Sequence, residues 1–76
     1  MDLKLYSASG KFLTYVYSFN HVKTYADSHQ EEVFDDGDKN AKVTCGWFTK
    51  YFNKDVQPQD IRKAWNDYNN YPTSDR

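Results

Sequence analysis

Apolar and polar residues alternate from the start of the chain. Leu3, Leu5 and Ser7 share one side of an extended segment, and Lys4 and Tyr6 share the other, the two-residue period of a β-strand. Ser9-Gly10 supplies a turn, because glycine takes positive φ without a Cβ clash. Residues 12–19 then run in aromatic and β-branched types, with Phe12, Thr14 and Val16 alternating against Leu13, Tyr15, Tyr17 and Phe19. Large apolar groups on both sides predict a strand that is central or covered on both faces. Together the two segments predict an N-terminal β-hairpin.

The period then changes. Val22, Tyr25, Ala26, His29 and Val33 fall at helical spacing behind Asn20, a candidate N-cap, and predict a helix within 20–34. Glu31 and Glu32 oppose it, since anions are disfavoured at a helix C-terminus. The competing arrangement pairs 31–34 with 42–45 as a second hairpin across the loop Asp35–Ala41. Trp47, Phe48, Tyr51 and Phe52 recur at i, i+1, i+4 and i+5, which predicts a short helix over 46–53. Pro58 suits a first helical position, and Asp60 suits the positive end of the dipole. Ile61, Ala64, Trp65 and Tyr68 continue as an i, i+3, i+4, i+7 stripe, so a helix is expected over 58–70, stopped by Asn69-Asn70 and Pro72.

The predicted fold is α+β: one small domain, residues 1–72, in which the N-terminal hairpin packs on two or three short helices, followed by a frayed tail, 73–76. The expected core is Leu3, Leu5, Leu13, Val16, Trp47, Phe48, Phe52, Ile61, Ala64 and Trp65.

Composition explains why four of those ten residues are aromatic. Leu, Ile and Val number nine in 76 residues, whereas there are seven Tyr, five Phe and two Trp. Each aromatic buries ~150–250 Å², which replaces the missing aliphatic area. So few aliphatics also leave room for a homodimer that completes the burial. No stretch has the continuous apolar length of a membrane span or signal peptide. Cys45 is the one cysteine, so no intramolecular disulfide forms, and a small chain without such staples is expected in the cytoplasm.

Ten Lys and Arg against eleven Asp and Glu give a net charge of −1, which selects no class of partner. The distribution is less neutral than the total. Glu31, Glu32, Asp35, Asp36 and Asp38 form an acidic block, and Lys39, Lys42, Lys50 and Lys54 follow as a basic one.

Catalytic chemistry finds little support. There is no CxxC, no HExxH and no Gly-rich phosphate cradle. His21 and His29 stand eight residues apart, outside the i, i+4 spacing of a helical ligand pair. Asp36, Asp38 and Asn40 match the first three ligand positions of an EF-hand loop, but Ala41 replaces its glycine and Trp47 its closing glutamate. No metal, cofactor or small-molecule substrate is implied, and the chain is expected to be non-catalytic.

Two binding readings remain. In the first, the chain binds another protein through the acidic residues Glu31, Glu32, Asp35, Asp36 and Asp38, with Tyr25 and other exposed tyrosines around them. In the second, residues 46–70 form a helix–turn–helix-like unit that binds nucleic acid. Gln59, Arg62, Lys63 and Asn66 would then meet base edges, and Lys50 and Lys54 phosphates. Asp55, Asp60 and Asp67 weigh against the second reading by repelling the phosphate backbone.

Overall fold

A computed structural model describes residues 3–70. The elements are β1 (Leu3–Tyr6), β2 (Phe12–Val16), α1 (Phe19–Ser28), α2 (Gln30–Val33), β3 (Ala41–Cys45), β4 (Phe48–Phe52) and α3 (Pro58–Asn70). The four strands make one antiparallel sheet in the order β2-β1-β3-β4. The α+β class and the N-terminal hairpin agree with the sequence pattern. The expected tail, 73–76, lies outside the described residues.

The core lies between one sheet face and the helices. Leu3, Leu5, Val16, Ala41, Val43 and Phe52 point inward from the strands and meet Phe19, Val22, Ala26, Val33 and Ile61, all buried. Trp65, half-buried, bridges Phe19 and Phe48, with ring centroids 6.5 and 5.2 Å away. Of the expected core, Leu13, Ala64 and Trp65 are half-buried, and the remainder except Trp47 is fully buried.

The first helix starts earlier than Asn20. Ser18 is the N-cap, in extended backbone (φ −161°, ψ 171°), and its Oγ accepts the His21 N–H at 3.2 Å. This places Phe19 at the first helical position, with its ring in the core, and leaves Asn20 exposed. The helix then breaks at His29 (φ −131°, ψ 44°), and a new turn, α2, begins. The break removes the electrostatic objection to helix here. Glu31 and Glu32 lie in the first turn of α2, at a positive dipole end, rather than at the C-terminus of one long helix.

The region 46–53 is not helical. Cys45 pairs with Phe48 across the two-residue turn Gly46-Trp47, and β4 runs back along β3. Gly46 takes φ +62°, the first central position of a hairpin turn that demands positive φ. The doublets Trp47-Phe48 and Tyr51-Phe52 fit a helical face and a strand equally well, and the turn decides between them. Phe48 and Phe52 point into the core, whereas Trp47 stands at the turn, 92% exposed. A Cβ at position 46 would meet no atom within 4 Å. Gly46→Ala is therefore expected to cost only the left-handed backbone penalty, ~1–2 kcal/mol in urea unfolding.

β2 is an edge strand, not a central one. The ladder to β1 slips between Leu5 and Tyr6, so Leu5 faces Thr14 but Tyr6 faces Phe12. This irregularity turns Phe12 away from Val16 and sets it beside Tyr15, with ring centroids 5.3 Å apart. Phe12 and Tyr15 are 43% and 61% exposed, on the sheet face opposite the buried core.

Candidate binding surfaces

The acidic segment is held into the fold by its own carboxylates. Asp35 Oδ1 accepts the Ser9 N–H at 2.9 Å, and its Oδ2 accepts the Ser9 hydroxyl at 2.6 Å. Ala8 N–H donates to the Val33 carbonyl at 2.8 Å alongside, so the β1–β2 turn is clipped to the end of α2. Asp36 accepts the Asp38 N–H at 3.1 Å and lies 4.0 Å from Lys39 Nζ. Tyr25 donates its hydroxyl to Glu32 at 3.1 Å. Tyr25 thus meets Glu32, but it is half-buried against the core rather than an exposed ring beside the acidic loop, whereas Glu31 and Asp38 are exposed nearby in sequence.

Two titrations follow from these bonds. Partial burial, then the bond to Glu32 and its charge, raise the Tyr25 pKa above the usual phenol value. The Ser9 hydroxyl and N–H hold the Asp35 carboxyl below the usual carboxylate range. For Asp35 the folded value is the depressed one, so its contribution is present above ~4 and vanishes as pH falls through the folded value. Asp35→Asn is expected to lower the thermal midpoint at pH 7, and the gap to the parent should close on acidification. A gap independent of pH would contradict this assignment.

Along α1 runs an aromatic stripe that the sequence reading did not single out. Tyr17 stacks on His21 (4.8 Å between centroids), His21 meets Tyr25 edge-on (6.5 Å), and Tyr25 stacks on His29 (4.1 Å). The i, i+4 spacing of these four residues was its visible signal. His21 Nδ1 accepts the Tyr17 N–H at 3.1 Å, so the stripe also closes the helix N-terminus.

The nucleic-acid candidates are only partly assembled. Gln59, Arg62, Lys63 and Asn66 are exposed on α3, as that reading requires. The partner helix of a helix–turn–helix is missing, because 48–52 is strand. Lys50 and Lys63 line a hollow of about 450 Å³ together with Asp55, Asp60 and Asp67, so carboxylates outnumber the cations there. Lys54 is exposed, and its carbonyl accepts a bond from Lys23. Asp60 instead serves the helix: its Oδ2 accepts the Gln57 N–H at 3.1 Å, a capping contact.

Two surfaces stand out by chemistry. The first is a cleft of about 890 Å³ between the β3–β4 turn and the last turns of α3, lined by Trp47, Phe48, Thr49, Ala64, Asp67, Tyr68 and Asn69. Trp47 is 92% exposed and Tyr68 44%. The second is the open face of the sheet, where Lys4, Tyr6, Phe12, Tyr15, Lys42, Thr44, Thr49 and Tyr51 alternate with the core residues. Among the described residues, no three His, Cys, Asp or Glu side chains are grouped to hold a metal, and no helix is long and apolar enough to cross a membrane.

Compared with protein-family models, curated proteins and solved structures, the chain matches none.

Proposed function

We propose that this chain is a small non-catalytic module that binds another protein and works in the cytoplasm. The observation that carries the reading is Trp47. An indole held outside the core gains nothing for folding, yet tryptophan is the residue most enriched at the energetic centres of protein interfaces. Its neighbours suit the same use: Phe48 floors the cleft, and Tyr68 offers a rigid ring with a polar tip. The acidic residues Glu31, Glu32, Asp35, Asp36 and Asp38 add a negative segment that would speed encounter with a basic partner.

The test is affinity capture with the full chain and with Trp47→Ala in parallel. A protein retained by the parent and lost by the variant, with unchanged folding, supports the reading. A protein retained equally by both removes Trp47 from the interface and the reading with it.

A nucleic-acid reading through α3 is weaker, because the helix that would brace it is absent and carboxylates flank its cations.

A further inference from the structure

The four strands contain three lysines, Lys4, Lys42 and Lys50, and no carboxylate. Every acidic residue described lies in a helix or a connection. Lys50 points to the helix side, where it lines the hollow beside α3. Lys4 and Lys42 point to the open face, which among the described residues carries cations and no anion.

Register fixes how these cations meet the rings. One row across the sheet reads Phe12, Tyr6, Lys42, Tyr51, and the next reads Tyr15, Lys4, Thr44, Thr49. Phe12 packs edge-on against both Tyr6 (5.6 Å) and Tyr15 (5.3 Å), and Lys42 Nζ lies 4.9 Å from the centre of the Tyr6 ring. Tyr51, 59% exposed, stands at the far edge of the first row. Phe12 and Tyr51 are three strands apart, about 14 Å at the usual spacing.

Rings interleaved with lysines on an uncovered antiparallel face suit a ligand with flat aromatic groups on an anionic backbone. A protein partner fits this face less well, because lysine is depleted in protein interfaces. Self-association through the face would bring lysines against lysines. We infer that the open sheet face binds single-stranded nucleic acid, with Tyr15 and Tyr51 stacking on bases and Lys4 and Lys42 meeting phosphates. This site borders the Trp47 cleft, with which it shares Thr49, but it uses none of the cleft's rings and does not depend on the protein-binding reading. It also differs from the α3 reading in substrate: stacked bases must be unpaired, whereas a helix in a groove reads a duplex.

The test is fluorescence anisotropy of a labelled oligothymidylate of about eight nucleotides, titrated with the full chain. Saturable binding is expected, and two phosphate contacts should weaken it about sevenfold between ~50 and ~200 mM salt. Tyr15→Ala and Tyr51→Ala should each weaken it about fivefold or more, and Lys4→Glu and Lys42→Glu should nearly abolish it. Lys4 is exposed, so its reversal separates binding from folding if Lys42→Glu unfolds. Arg62→Ala should change nothing. The inference is overturned if the oligonucleotide does not bind, or if a duplex of equal length binds as well. Loss on Arg62→Ala with Lys4→Glu unaffected overturns it too, as does an oligonucleotide-inert face whose Lys4→Glu variant loses a captured protein.

Discussion

Leu5→Ala is expected to remove ~3 kcal/mol or more of folding stability, within the range for deleting a buried leucine side chain. Leu5 is fully buried at the centre of β1, with Thr14 opposite on β2 and Val43 opposite on β3. Strand neighbours on both sides and the core against one face leave the cavity little freedom to collapse. A chain of this size has a total stability on the order of 4–11 kcal/mol, so the variant should be unfolded in mild urea or at modest temperature. Leu5→Ile keeps the volume and should cost less than ~1.5 kcal/mol. Equal urea midpoints for the parent and Leu5→Ala would mean that the hairpin is not packed as described.

Trp47→Ala should do the opposite: leave stability within ~0.5 kcal/mol and cost a protein partner about 30-fold or more in affinity. Its indole is almost wholly outside the core, and the turn it occupies is set by Gly46. The same substitution at Trp65 would mix the two effects, because Trp65 joins Phe19 and Phe48 inside the fold. Comparing the two variants in capture and in thermal unfolding separates a binding tryptophan from a structural one. A large stability loss in Trp47→Ala would sink the assignment.

Much of the fold was legible because periodicity and packing agreed. Leu3 and Leu5 alternate with polar residues, and the strand they predict forms. The Ile61, Ala64, Trp65, Tyr68 stripe lies on a helix that starts at Pro58. Legibility failed where two periods overlapped. Trp47, Phe48, Tyr51 and Phe52 satisfy a helical face, and only the positive φ at Gly46 separates that pattern from a hairpin. The same error placed Trp47 in the core. Phe12 failed for another reason: strict alternation puts it with Val16, and the slipped ladder reverses it. Such a slip comes from pairing with β1 and leaves no trace in the strand's own sequence.

The candidate sites divide in the same way. The exposure of several tyrosines followed from their number, since one small core cannot hide them all. The open face did not, because it is assembled from four strands whose order is set by long-range pairing. Asp35 reads as one more member of an acidic run, and its partner Ser9 lies 26 residues away in sequence.

The strand order has a consequence for how the chain assembles. β1 occupies the middle of the sheet, yet its inner neighbour β3 begins about 25 residues after β2 ends. The N-terminal hairpin can therefore close early during synthesis, while the β3-facing edge of β1 waits for its mate. In that interval the edge carries unpaired amides and carbonyls that any passing strand can engage. The clip from Ser9 and Ala8 to residues 33–35 fastens the helical segment to the hairpin just before β3 follows in the chain. It shortens the search that β3 must make, and with it the time during which nascent chains can pair with one another.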